Sequence, residues 1–301
     1  MLTHKVNKPL QMAKVYVIGA TGTVGSQVTK ALLEKGVPTT VLVRDLSKAV
    51  KVFGEAEGLN VVQGDYTDYT SFKNTISGHE RLFLLINDFT NMAKIKISYA
   101  KIAYEAGVKQ IVDISSGSVS GAWRQNFGST ANYVTEETLF NLANRGAYVA
   151  LRPTGFFSNH LVSDDKTIRF QGAILGSSHP DLKKPLISPT DIAQVAVNIL
   201  TDSIDKHGDS VYDMTSVLLS GNERAEILSQ VLGKDIKYIQ ISAGDEYKMF
   251  VEYAQMPHIV AYGLVDASYK SFDVNIGLPI LLGRPIESLQ TWIEANKDKF
   301  N

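Results

Sequence analysis

KVYVIGATGTVGSQVTKALLEKG, Lys14 to Gly36, decides how the first half of the chain folds. Lys14 to Ala20 is a short β-branched run with apolar residues at successive positions, the pattern of a strand covered on both faces. From Ser26 the period changes to that of an amphipathic helix, and Gly36 stops it. Gly19, Gly22 and Gly25 stand between the two, in G-x-x-G-x-x-G spacing. A turn in this place needs a residue free of Cβ strain, and a bound pyrophosphate needs close backbone approach. The N–H groups at the helix start attract its negative charge. Gly19, Thr21, Gly22, Thr23, Val24 and Gly25 are therefore the candidate dinucleotide-binding turn.

The same alternation continues outward. Thr39 to Asp45, Leu59 to Asp65, Arg81 to Asp88 and Gln110 to Ser116 read as four more strands, all apolar on both faces, and Ala147 to Pro153 as a sixth after the helical stretch NYVTEETLFNLANRG. Strands of this kind spaced by helices belong in a parallel sheet covered on both sides. After Pro153 the alternation fails. A polar stretch, SDDKTIRFQGAILGSSHPDLKKP, precedes a helix over Thr190 to Asp202. VYDMTS, NERAEILSQVLG and KYIQIS then suggest a small strand–helix–strand unit, followed by a helical end in PIESLQTWIEANKDKF. The expected architecture is α/β: a doubly wound parallel Rossmann sheet with a smaller C-terminal α+β lobe. Residues 1–155 would form the dinucleotide-binding domain, with 185–202 contributing, and 156–301 a lobe that roofs the cleft for a substrate or partner.

The composition narrows the partners. Thirty basic and 31 acidic residues give a formal charge of -1, so no broad positive field exists to bind nucleic acid or anionic lipid. Small molecules or proteins are the expected partners. The chain has no cysteine, hence no disulfide, thiolate nucleophile or cysteine-ligated metal. No histidine or carboxylate cluster has metal-ligand spacing. The first residues, MLTHKVNKPLQM, lack a signal-peptide core, and no segment has the apolar length of a membrane span, so a cytoplasmic protein is expected.

The end of the second strand commonly reads the adenosine ribose: an acidic residue favours a free 2′-hydroxyl and an arginine accommodates a 2′-phosphate. This chain has both, Arg44 and Asp45. Arg44 comes first, a guanidinium pairs bidentately with phosphate, and Lys48 adds charge one turn on, so NADP(H) is favoured and NAD is the alternative. Arg44 and Asp45 could instead pair with each other in a solvated loop. Asp65 is placed to face the adenine amino group, or to serve as a turn or cap residue.

Several segments together resemble the NmrA-like branch of the atypical short-chain dehydrogenases/reductases. They are GATGTVG, VLVRD, VVQGDYTD, AKIAYEAGVKQIVDISS, TEETLF, LRPTGFFSN, ISPTDIAQVAVNIL and GRPIESLQTWIEAN, in an order that spans nearly the whole chain. The resemblance implies a Rossmann domain with a small C-terminal lobe that binds NADP(H) or NAD(H). Members include quinone and other NAD(P)H-dependent reductases, and also redox-sensing regulators. Typical short-chain reductases carry a catalytic tyrosine and a lysine four residues apart. The matching pair here is Tyr133 and Glu137, so the spacing is kept while the cation is absent. NmrA-like reductases often have histidine at the place of Tyr133. Tyr133 is the candidate catalytic residue, able to donate a hydrogen bond but without the lysine that tunes such a tyrosine.

Ser115 and Ser116 end the fifth strand, on the nicotinamide side of the cleft, or simply form a polar strand terminus. Trp123, Arg124 and Phe127 lie on a loop long enough to act as a lid, and Phe156, Phe157, Asn159 and His160 follow the sixth strand at the level of the cofactor. Trp123, Phe156 and Asn159 are the candidate substrate contacts. Two functions follow from these residues. One is an NADP(H)-dependent reductase of a quinone or similar conjugated acceptor, whose reduced product takes its proton from water. The other is an NADP(H)-sensing regulator read by a protein partner.

Overall fold

Val15–Ile18 (β1) lies inside a seven-stranded sheet, and its four residues are buried on both sides. The computed structural model describes residues 13–88, 90–120, 127–161, 164–266 and 272–300. After β1 the chain runs through α1 (Thr23–Glu34), β2 (Thr39–Val43), α2 (Leu46–Phe53), β3 (Leu59–Gln63), α3 (Thr70–Thr75) and β4 (Arg81–Leu84). α4 (Met92–Glu105), β5 (Gln110–Ile114), α5 (Phe127–Phe140) and β6 (Ala147–Pro153) follow. Next come β7 (Gly155–Phe156), α6 (Asp165–Gln171), β8 (Ala173–Gly176), β9 (Lys184–Ile187), α7 (Pro189–Thr201), α8 (Ile204–His207) and β10 (Val211–Met214). The chain closes with β11 (Val217–Leu219), α9 (Gly221–Leu232), β12 (Lys237–Gln240), α10 (Ala243–Lys248), α11 (His258–Val265), α12 (Leu278–Leu282) and α13 (Leu289–Ala295).

The large sheet has the order β10-β6-β5-β4-β1-β2-β3, and every pairing in it is parallel. Alternation along β1 feeds two cores. Val15 and Val17 pack with Val28 and Leu32 of α1 and with Ile192, Val195 and Ile199 of α7. Tyr16 and Ile18 pack on the other face with Phe72, Leu82, Leu84 and Tyr99. A third core lies in the lobe, where Phe157, Ile168, Leu228, Trp292 and Phe300 meet.

Four local expectations are corrected. β3 is not apolar on both faces: it is the sheet edge, with one neighbour, and Val61 is 38% exposed. Its polar positions blunt an edge that would otherwise recruit another strand. VYDMTS does not belong to a small strand–helix–strand unit, because β10 is the seventh strand of the large sheet, beside β6. The segment read as a polar stretch contains α6 and β8, and β8 is the parallel partner of β12. α5 ends at Phe140 rather than continuing to Gly146; the Arg145 guanidinium donates back to the Phe140 carbonyl, and Asn144 has a φ of 55°. Among the described residues no helix is long and apolar enough to cross a membrane.

Candidate functional site

The chain leaves β1 toward β2 and β3 on one side and returns to β4 on the other, so the crevice at the carboxyl ends of β1 and β4 is the topological switch point of the sheet. The glycine turn sits there, and its three glycines answer three different demands. Gly19 has a φ of +84°, and a Cβ on it would stand 2.6 Å from the Leu85 carbonyl oxygen. A Cβ on Gly25 would stand 2.2 Å from the Gly19 carbonyl oxygen, so Gly25 lets α1 pack onto the turn. A Cβ on Gly22 would meet only the Gly19 oxygen, at 3.4 Å; its other side faces open space. Gly22 is the residue that caps α1, which begins at Thr23, earlier than the sequence pattern marks it. No side chain caps this helix and its first turn has no acidic residue, so its leading N–H groups keep their capacity for an anion. Gly22 and Thr23 are exposed, Thr21 is half-buried, and Val24 and Gly25 are buried.

At the carboxyl end of β2 the structure gives Arg44 and Asp45 different surroundings. Asp45 caps α2, its carboxylate accepting from the Ser47 N–H at 2.8 Å, the Ser47 hydroxyl at 2.6 Å and the Lys48 N–H at 3.2 Å. The Ser47 hydroxyl, then the Lys48 N–H, holds this carboxyl below the ordinary aspartate range. Arg44 is exposed, its guanidinium 5.3 Å from the Tyr66 ring centroid. Lys48 is exposed in the first turn of α2. Asp65 forms the turn: its carboxylate accepts from the N–H and hydroxyl of Thr67 at 2.8 and 2.7 Å. Those bonds, the Thr67 hydroxyl first, hold its carboxyl below the ordinary aspartate range, with a smaller contribution from the Arg44 charge.

On the other side of the switch point, Ser115 directly follows β5 and donates its hydroxyl to Glu136 of α5. Tyr133 lies one turn before Glu136 on the same helix and is 40% exposed; Glu137 is exposed as well. The sequence reading missed the cation that is present. Lys96 of α4 is fully buried, with Nζ 2.7 Å from the Ile114 carbonyl oxygen and 3.3 Å from Asn132 Oδ1, next to Tyr133 in sequence. Its ion-pair partner is Asp113, where burial pushes the carboxyl up while the lysine pulls it back. The signal was legible: Lys96 interrupts the apolar stripe of Met92, Ile95, Tyr99 and Ala103, and Asp113 interrupts QIVDI.

Phe156 is half-buried against the core beside Ile187, and Asn159 is exposed. Phe157 is a core residue of the lobe. His160 is buried, with Nδ1 2.6 Å from Asp164, a structural pairing. Trp123 and Arg124 lie outside the described residues, as does the side chain of Phe127. Among the described residues no group of three or more metal-ligating side chains comes together.

A model of the NmrA-like family matches residues 11–276 of the chain. An NAD(P)H azoreductase from Xenophilus azovorans is 27% identical over 296 residues, covering 95% of this chain and 99% of that protein. A (4-alkanoyl-5-oxo-2,5-dihydrofuran-3-yl)methyl phosphate reductase from Streptomyces griseus is 26% identical over 292 residues, covering 95% of this chain and 99% of that protein. Among solved structures, an NADPH-dependent quinone oxidoreductase from Escherichia coli complexed with NADPH superposes with a TM-score of 0.78 at 23% identity, covering 95% of this chain and 100% of that one.

Proposed function

The chain belongs to the NmrA-like family, and from that premise we propose that it is an NADPH-dependent reductase of a conjugated small-molecule acceptor, a quinone or a compound of similar electronic structure. The observation that carries this reading is the glycine turn at the switch point: a helix start with no side-chain cap, at a glycine whose Cβ would meet only the Gly19 carbonyl oxygen. The donor set fits a pyrophosphate. Gly22 and Thr23, with the N–H groups of Val24 and Gly25, would hold the phosphates, and Arg44 with Lys48 would receive the 2′-phosphate. NADPH is favoured over NADH because Asp45 is engaged in capping α2 and Arg44 keeps its charge for the ligand.

When bound, NADPH supplies a hydride; a quinone that takes it together with one proton becomes a hydroquinone. The reduced quinone is a stabilised oxyanion that water can protonate, so the protein's task is to bind and orient. Tyr133, on the exposed side of α5, would donate a hydrogen bond to the acceptor, with Phe156 and Asn159 lining its place. The relatives are reductases of an azo compound, an unsaturated lactone and a quinone by their names. Those groups are all conjugated, which favours catalysis over the sensing alternative. Fluorescence titration with NADPH, followed by steady-state NADPH oxidation against quinones, azo dyes and unsaturated lactones, tests the reading. Turnover of at least one class is expected. A protein that binds NADPH and reduces none of them is a sensor, and one that binds no NADPH refutes the proposal.

A further inference from the structure

The hydrogen bonding of Ser115 is one-sided. Its Oγ lies 2.5 Å from Glu136 Oε1, and the same carboxylate receives Arg152 Nε at 3.0 and 3.2 Å and a second guanidinium nitrogen at 2.5 Å. Glu136 is 4% exposed and Ser115 7%. Arg152 also lies 3.8 Å from Asp213 on β10, which anchors the guanidinium from the neighbouring strand. A carboxylate gripped by a guanidinium fork only accepts, so the hydroxyl proton of Ser115 points at Glu136. What Ser115 can offer any other group is lone pairs.

We propose that Glu136 is a positioning residue that fixes Ser115 as a hydrogen-bond acceptor in the crevice, where Ser115 receives the carboxamide N–H of the bound cofactor's nicotinamide. The proposal rests on the NADP(H) reading above. β5 adjoins β4 on the side of the switch point away from β2 and β3, whose ends serve the adenosine half, so Ser115 stands at the nicotinamide half. The carboxamide carries the only N–H of the nicotinamide ring. For Ser115 to donate instead to a developing oxyanion, it would have to withdraw its proton from a buried, charge-assisted bond. The role of Ser115 is thus to read the cofactor, not to stabilise the reduced acceptor.

The probe is the reduced acetylpyridine analogue of NADPH, in which a methyl ketone replaces the carboxamide and no N–H remains on the pyridine half. Its affinity and that of NADPH are measured by fluorescence titration in wild type, Ser115→Ala, Glu136→Gln and the double variant. Wild type is expected to prefer NADPH by about fivefold to tenfold, the yield of one hydrogen bond, and Ser115→Ala to lose that preference. In Glu136→Gln the amide oxygen stays on Arg152 and the amide N–H turns to Ser115. The hydroxyl proton is then released into the crevice, and the preference shifts toward the ketone. In the double variant Glu136→Gln adds no change of preference to that of Ser115→Ala. A merely structural Glu136 would weaken both ligands equally and leave their ratio alone, which overturns the proposal. So does an unchanged ratio in Ser115→Ala, a variant that leaves the Glu136–Arg152 pair in place and carries the test alone if Glu136→Gln does not fold. Wild type binding neither ligand defeats the cofactor reading itself, a result distinct from binding without discrimination.

Discussion

Lys96 Nζ lies 2.9 Å from a carboxylate oxygen of Asp113, and neither side chain reaches solvent. Tyr148 donates to the other oxygen at 2.8 Å, so one ion pair ties α4, β5 and β6, and α5 joins through Asn132. Removing one partner of such a pair leaves an uncompensated buried charge. Lys96→Met is expected to cost about 3–5 kcal/mol in urea unfolding at neutral pH. A Lys96→Met/Asp113→Asn double variant should recover most of it. Burial already holds the Asp113 carboxyl above its ordinary value. A raised folded-state value contributes stability below the unfolded value and loses it as pH rises, so the single variant's deficit should shrink toward acid pH. Equal losses in the single and double variants would refute this account.

The glycines of the turn separate by substitution. Gly25→Ala places a Cβ 2.2 Å from the Gly19 oxygen, so the turn itself must move and the melting temperature should fall. Gly22→Val meets no such obstacle within the protein and should keep the fold. It should weaken NADPH about tenfold or more, because the branched side chain stands where the phosphate backbone contact would form. A folded Gly22→Val protein with wild-type affinity would move the cofactor away from this loop.

Arg44→Ala tests which cofactor the site prefers. NADPH affinity should fall about tenfold or more, with NADH little changed, since the guanidinium is the group that pairs with a 2′-phosphate. Titrating both cofactors into both proteins gives the ratio directly. If that ratio survives, Arg44 does not read the phosphate.

How far the sequence revealed these features depended on how local their causes were. The β1–turn–α1 unit was legible because period, glycine spacing and helix start lie within a single stretch, Lys14 to Gly36. β10 was not, since its partner β6 lies far away in sequence and VYDM has no local mark of the sheet it joins. The roles of Arg44 and Asp45 were left open by their adjacency; the bonds from the Ser47 and Lys48 N–H groups that make Asp45 a cap become visible only in three dimensions. Glu136 went unnoticed beside Glu137: the two differ only in which side of α5 faces Ser115 and Arg152, and that is set by tertiary packing.

Tyr133→Phe should be mild. Glu137 beside it is exposed, and Lys96, the buried cation of this region, is held by Asp113 and the Ile114 carbonyl. Quinone turnover should fall by less than about tenfold, the range of one neutral hydrogen bond. Positioned proton transfer is worth roughly a hundredfold or more. A fall of that size with intact NADPH affinity would make Tyr133 a true proton donor.

His79 should govern stability in mildly acidic solution. It is 3% exposed, with Nδ1 2.8 Å from the Ile76 carbonyl oxygen, Nε2 2.8 Å from the Thr40 hydroxyl, and the Tyr16 ring edge-on against it. Burial, and to a lesser degree the Lys14 charge, hold its pKa below the ordinary 6.5. The unfolded chain therefore binds the proton first. The contribution is complete above the unfolded value and declines as pH falls through it toward the folded value. Unfolding free energy measured between about pH 7.5 and pH 5.5 should drop more steeply in wild type than in His79→Gln. Comparing the two cancels His160 and His207, which face Asp164 and Asp202. Parallel slopes would exclude His79 as the cause.

The pairing of Ala150 with Val211 places an entire excursion of chain, from β7 through α8, between two adjacent strands. During synthesis β6 emerges with one edge open, and it stays open until the ribosome has delivered β10. α7, which covers the Val15 and Val17 face, emerges only shortly before. A nascent chain ending near Pro153 therefore displays an unpaired parallel edge and an apolar sheet face at once, the two surfaces that recruit chaperones or drive aggregation. The closing strand is supplied from beyond the first half of the lobe. Truncation or slow translation across residues 154–210 would thus act on the solubility of the half that carries the large sheet rather than on the lobe alone.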